Sequence, residues 1–310
     1  MFEQQRLLFL YAISPVHMGA GQAVGVIDNP IQRERHTDHP NIAGSGLKGA
    51  LRHHLEGVWD RSLVARLFGP ENSASDYAGC VSFGDAQLVA FPVRSLERAF
   101  VYVVSPVTLA RLKRLAELAG VATGWNVPEV AAENALVADR GVLSGGRLVL
   151  EAFDFAAPEG DELEPIATWL ADNAFPPGTA HDHFREKIRT DLVLLPEDAF
   201  SYFVRNATLV EPHVRIDDET GTADGGGLFY TENLPPEALL VSPVFASRER
   251  TPQKGRNGDA MEAPPVMQIL MTGPEGDKPG LDGILVQAGG DATTGRGQFV
   301  LRFVTGKQED

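Results

Sequence analysis

Residues 6–13, RLLFLYAI, are almost unbroken in apolar character. A strand with one wet face alternates polar and apolar residues, so a continuous run of this length calls for a strand covered on both faces. The chain must therefore build a sheet with a packed layer on each side. Its 310 residues, 43% hydrophobic and 22% charged, hold enough apolar material for that. The 32 glycines and 21 prolines exceed what a helical bundle uses and predict many turns between short elements. A mixed α and β protein fits these features best.

Several classes are excluded early. Cys80 is the one cysteine, so no intrachain disulfide and no multi-cysteine zinc site can form, and a reducing cytoplasm is the expected location. The N-terminus has Glu3 ahead of its apolar run and no small-residue cleavage site behind it, which reads as a strand and not as a secretion signal. No run of eighteen apolar residues occurs, so no membrane span is expected. The net charge of −15 argues against a protein that binds nucleic acid over its whole surface, although a local field or backbone amides can still hold a phosphate.

Along the chain, a Gly-rich and Pro-rich loop follows the first strand over 14–44, far longer than ordinary connections of about 4–6 residues, and such loops are functional or disordered. Five of the eight histidines lie between His17 and His54. Ser45 stands at an N-cap position before Leu47, Leu51 and Leu55, which predicts a helix over 46–57. Strands are predicted over 80–91, 98–105 and 147–155, with helices over 108–120 and near 161–173. After 190 the pattern is strand-rich, and 209–231 reads as a projecting β-hairpin with a Gly- and Asp-rich turn. A polar linker over 247–262 and two short final strands complete the chain.

Three segments carry chemistry. In GSGLKGALR, Lys48 and Arg52 lie four residues apart on one helical face near a helix N-terminus, where an anion is favoured; in isolation the same spacing is a solvated face. GGDATTGRG lacks the Lys-Ser/Thr pair of a nucleotide P-loop, yet Gly289, Gly290, Gly295 and Gly297 allow close backbone approach, with Thr294 and Arg296 beside them; the bland alternative is a tight hairpin. Asp28 sits between Ile27 and Asn29-Pro30, where it either turns the chain or meets a ligand. His181 and His183 have no third ligand placed by spacing and read as surface residues. Asp217, Asp218 and Glu219 read as a solvated hairpin tip.

In this order and spacing, ISPVHMGAG running into VIDNPIQRE, then GSGLKGALR, LFYTENLP and GGDATTGRG, the chain resembles the RAMP superfamily. Within it the resemblance is to the fourth protein of the Cmr module, the family repeated along the backbone of the type III-B CRISPR effector. It implies a single domain over 1–310, an α+β, ferredoxin-like (RRM-like) core with long insertions, and a hairpin thumb that wedges into the guide–target duplex through Val214, Ile216 or Phe229. It also implies an antiviral ribonucleoprotein whose partners are guide RNA, target RNA, other copies of the chain in a helical filament and other Cmr subunits. The implied activity is endoribonucleolytic cutting of target RNA, with Asp28 as base or holder of a divalent metal, Mg or Mn, His17 as proton donor, and Glu232 and Tyr230 grouped with them. Ser45, Lys48, Arg52 and the glycine-rich loop from Gly289 to Gly297 would contact RNA. Rival readings are a non-catalytic guide-binding subunit, a RAMP endoribonuclease that processes precursor guide RNA, and a metabolic enzyme with an acidic surface.

Overall fold

The computed structural model describes residues 2–71, 76–252 and 259–306. The first apolar run forms the strand Gln4–Ala12, and Leu7 to Ala12 are at most 1% exposed. It is flanked by Leu239–Ala246 on one side and Gln298–Val304 on the other, both antiparallel. The start of the chain is thus locked between two strands from its far end. The sheet continues through Ala86–Arg94, Phe100–Val104, Leu192–Leu194 and Leu136–Val137, with Leu285–Gln287 at the opposite edge. Asn41–Ile42 and Val81–Phe83 attach beside this path, giving ten strands. Among these strand pairs, Phe100–Val104 with Leu192–Leu194 is parallel and the others are antiparallel.

Successive side chains of a strand point to opposite faces, and the central strand feeds two cores accordingly. Leu8, Leu10 and Ala12 pack with the helices Gly44–Glu56, Arg61–Phe68, Glu197–Asn206 and Ala263–Thr272. Leu7, Phe9 and Tyr11 pack with Pro106–Leu118, Glu164–Asn173 and Asp182–Thr190. Burying one such Leu or Phe contributes about 1.5–3 kcal/mol, so both layers are needed to hold the strand in place. The polar ends of Tyr11 and Tyr102 meet each other at 3.0 Å inside the second core. The chain adopts the α+β class expected from its sequence. Among the described residues, no helix is long and apolar enough to cross a membrane.

Several local expectations are corrected. Ser45 is inside the helix Gly44–Glu56, whose N-cap is Ala43; the freed N–H of Gly44 is taken instead by the Asp85 carboxylate at 2.7 Å. The predicted strand 147–155 is a hairpin, Arg147–Leu150 with Phe153–Ala156, because Glu151 turns the chain with φ of 50°. The start of the strand-rich region is the helix Glu197–Asn206: Phe200, Phe203 and Val204 share its buried face, while Glu197 and Asp198 suit its N-terminus. His181 and His183 lie where a short turn runs into the helix Asp182–Thr190, His183 exposed and His181 half-buried, in keeping with the surface reading. In the expected polar linker 247–262, Ser247, Glu249 and Thr251 are buried, and residues 253–258 lie outside the described residues. Glu249 accepts hydrogen bonds from Nε and Nη2 of Arg66, at 2.7 and 2.8 Å, which anchors this segment to the helix Arg61–Phe68.

Candidate active site

The strands Leu209–Ile216 and Ala223–Asn233 pair with each other, separately from the main sheet. Pairing resumes at Ala223, so the turn spans 217–222 and is shorter than the Asp- and Gly-rich sequence suggests. The Asp217 carboxylate organises it, accepting from the backbone and hydroxyl of Thr220 and from the backbone of Glu219, and these bonds hold its pKa below the usual carboxylate range. One face of the hairpin exposes Val210, Val214 and Leu228, and Ile216 is exposed beyond a bulge.

The long loop at 14–44 lies along the edge of Ala223–Asn233 at the base of this hairpin. Tyr230 N–H donates to Asp28 Oδ2 at 2.7 Å, Asn29 N–H donates to Tyr230 O at 3.0 Å, and Glu232 N–H donates to Asn29 O at 3.0 Å. Next along the strand, His17 Nδ1 meets Glu232 O at 2.8 Å, and Val16 exchanges backbone bonds with Leu234 at 2.9 Å. Asp28 and His17, more than ten positions apart in sequence, are therefore anchored two strand residues apart, about 7 Å at the usual rise. A carbonyl oxygen only accepts, so Nδ1 carries the proton of the neutral His17 ring and Nε2 keeps its lone pair. The second carboxylate oxygen of Asp28 has no hydrogen-bond partner among the described residues.

The glycine-rich loop braces His17 from behind. Gly290 N–H donates to His17 O at 2.8 Å, and Gly297 N–H donates to Pro15 O at 2.8 Å. At Gly289, with φ of 100°, an added Cβ would stand 2.6 Å from His17 O, so only glycine permits this approach. The amides of Thr294, Gly295 and Arg296 bond within the loop itself, to Asp291 and Ala292. Of the loop's amides, these three bond within it and two brace the segment of Pro15 and His17. Arg296 pairs with Glu211 at 2.5 Å and ties the loop to the hairpin. Between them lies a cavity of about 390 Å³ whose lining includes His17, Asn29, His213, Phe229, Thr231 and Arg296. His213 is stacked on Phe229, with ring centroids 5.1 Å apart.

Two expected members have different surroundings. Glu232 is 3% exposed, and its oxygens accept from Arg33 at 2.5 Å, Thr208 at 2.8 Å and the Ile31 N–H at 3.1 Å. Its carboxylate is engaged inside the protein, where it holds the loop through Arg33 and Ile31. Tyr230 contributes its backbone to the Asp28 anchor, while its phenol oxygen has no partner among the described residues. Arg33, Thr208, Glu211 and His213 escaped the sequence reading. Their partners lie far off in the chain, as with the 199 residues between Arg33 and Glu232, and no local spacing signals them.

The predicted anion site on the helix Gly44–Glu56 is also largely self-satisfied. Lys48 Nζ donates to Val81 O at 3.0 Å, and burial lowers its pKa. Arg52 is held by Glu56 at 2.8 Å and by Gly69 O at 3.0 Å. Asp85 already places a carboxylate at the helix N-terminus, while Ser45 is exposed. Among the described residues, no group of three or more His, Cys, Asp or Glu side chains is arranged to hold a metal ion.

A family model described as the RAMP superfamily matches residues 9–300, and the chain belongs to that superfamily. Its relatives narrow the placement: the CRISPR system Cmr endoribonuclease Cmr4 of Pyrococcus furiosus is 35% identical over 307 residues, 96% of each chain. The CRISPR system CMR subunit Cmr4 of Saccharolobus solfataricus is 25% identical, over 77% of this chain and 83% of that protein. The crystal structure of oligomeric Cmr4 from Pyrococcus furiosus matches with a TM-score of 0.72 at 27% identity, covering 97% of both chains. A chain of the type III-B Cmr-beta complex bound to cognate target RNA shares the fold, with a TM-score of 0.71 at 19% identity and coverage of 97% and 98%.

Proposed function

We propose that this chain is the guide-RNA-binding backbone subunit of a type III-B CRISPR effector complex and that it cuts the complementary target RNA at regular intervals. The 35% identical relative named as a Cmr endoribonuclease supports the activity, and the likeness to an oligomeric Cmr4 supports head-to-tail copies along a filament. The observation that carries the chemistry is the anchoring of Asp28 and His17 side by side on one strand edge, each with a free atom.

Cutting RNA by transesterification needs the 2′-hydroxyl deprotonated and the leaving 5′-oxygen protonated, with the phosphorus in line between them. Asp28 takes the hydroxyl proton through its free oxygen. His17, protonated at Nε2, gives a proton to the leaving oxygen, and the bond from Nδ1 to Glu232 O fixes the ring for that transfer. An Mg or Mn ion, which keeps most of its waters and needs only one or two carboxylates plus a phosphate, is compatible with the single free oxygen of Asp28; a zinc or calcium cage is not. Were such an ion bound, Asp28 would be its ligand in place of acting as the base, and the ion would neutralise the phosphorane charge. Glu232 positions the loop through Arg33 and Ile31. Val214, Ile216 and Phe229 on the hairpin wedge a base step open, which frees the neighbouring sugar to reach the in-line geometry.

Replacing Asp28 by Ala tests this reading. Guide binding and assembly should persist while the cutting rate falls by about 10²–10⁴-fold, the usual contribution of a positioned acid or base. Undiminished cutting by Asp28→Ala would remove Asp28 from the chemistry.

A further inference from the structure

The chain has 27 Lys and Arg against 42 Asp and Glu, and most of the described cations are committed to partners within the protein. Among the described residues, the arginines without a side-chain hydrogen bond or ion pair are Arg35, Arg61, Arg94, Arg114, Arg215 and Arg250. Two of these share a wall-to-wall setting. Arg35, on the loop that carries Asp28, and Arg114, on the helix Pro106–Leu118, both line one cleft of about 480 Å³. Both are exposed.

The cleft is built to keep them unneutralised. Arg33 and Arg111 also line it, but they are held by Glu232 at 2.5 Å and Glu34 at 2.8 Å. Of its two carboxylates, Glu34 is paired with Arg111, while Asp85 accepts from the Gly44 N–H and keeps its charge; His36 meets Arg111 at 2.9 Å. The guanidiniums of Arg35 and Arg114 have no ion-pair partner among the described residues and outnumber that one uncompensated carboxylate. In a molecule of net charge −15 this local field is inverted, and guanidinium forks match phosphate oxygens bidentately. The position suits a strand that also reaches Asp28. The loop between them is pinned by Asn29 to Tyr230, Ile31 to Glu232 and Arg33 to Glu232, and seven residues of chain span at most about 25 Å.

We propose that this cleft is a binding site for the phosphodiester backbone of an RNA strand, with Arg35 and Arg114 each taking a phosphate. It is separate from the helix face of Lys48 and Arg52, whose side chains donate to Val81 O, Gly69 O and Glu56. The proposal rests on the RNA-binding function above.

The test is binding of the full-length protein to labelled guide RNA, and to guide paired with target, across a range of salt concentrations. Variants are Arg35→Ala with Arg114→Ala, the charge-preserving Arg35→Lys with Arg114→Lys, and a control losing the same charge elsewhere, Arg61→Ala with Arg94→Ala. Each phosphate contact on a single strand contributes about 0.7 to the slope of log affinity against log salt, so losing both should flatten the slope by about 1.4. That corresponds to about a 25-fold loss at 0.1 M salt relative to 1 M. The lysine pair should keep most of the slope, and the control should keep its full value. A change seen with guide alone assigns the site to the guide; a change seen only with the duplex assigns it to the target. If the parent binds with strong salt dependence and the alanine pair matches it, the cleft is not the site while the RNA-binding function stands. A parent that does not bind guide RNA overturns both. Arg35 and Arg114 have no partners to lose, so unchanged melting of the variants separates lost contacts from lost fold.

Discussion

Glu232→Ala separates a residue that holds the site from one that does chemistry. The wild-type carboxylate is 3% exposed and lies 2.5 Å from an Arg33 side chain that is itself only 15% exposed. Removing it leaves a mostly buried guanidinium without its counter-charge, and strips acceptors from Thr208 and from the Ile31 N–H. Breaking a buried pair by deleting one partner costs about 3–5 kcal/mol. At about 2 °C per kcal/mol, the low end for a large domain, the melting temperature should fall by at least about 6 °C. The assay is thermal melting without RNA, followed by single-turnover cutting at a temperature where both proteins are folded. Combining Glu232→Ala with Arg33→Ala should cost much less than the sum of the single changes, because the two side chains act as a unit. An unchanged melting temperature together with lost cutting would refute the argument and return Glu232 to the chemistry.

The remaining expectations are these. Lys48→Glu with Arg52→Glu should lower stability by about 2 kcal/mol or more, since Val81 O, Gly69 O and Glu56 lose their donor partners, and should leave the salt dependence of RNA binding unaltered; denaturant melts and binding isotherms test the two halves. Replacing the turn 217–222 by a two-residue loop should preserve guide binding but weaken or blur the regular cleavage ladder on a long labelled target; an identical ladder would remove the hairpin from placing the cut. Burial works against the charge on Glu249, yet bonds from Arg66, Met261 and Thr251 outweigh it and hold its pKa at about 2. Because this folded value lies below the unfolded 4.5, the pair's contribution is complete above pH 4.5 and is lost as pH falls toward 2; Arg66→Met should flatten that acid limb in melts against pH.

The parts legible in the sequence are those whose cause is local. The run at 6–13 demanded a doubly covered strand, and Leu7 to Ala12 are buried on both faces. Leu47, Leu51 and Leu55 marked a helix, and their spacing alone puts them on one buried face. Asp28 stood out because a carboxylate beside Asn29-Pro30 either turns the chain or meets a ligand, while His17 was marked by the resemblance alone. Errors arose where one pattern suits two structures: AFSYFVRN carries aromatics at both strand and helix spacing, and its packing decides for helix. The ferredoxin-like refinement of the α+β class was read from strands and helices alternating irregularly with long insertions, and the resemblance implies the same core.

What the sequence by itself determined is which segments are apolar, where glycine permits an unusual backbone, and which side chains can move a proton. What only the tertiary structure decided is which charges are free. Glu232 looks available when read along the chain, but Arg33 pairs with it; Arg35 and Arg114, unremarkable in sequence, have no ion-pair partner among the described residues and line one cleft. The reason is that an ionic group's availability depends on the partners within a few ångströms of it, and in this fold those partners arrive from as far as 218 residues away, as Lys278 does to Asp60.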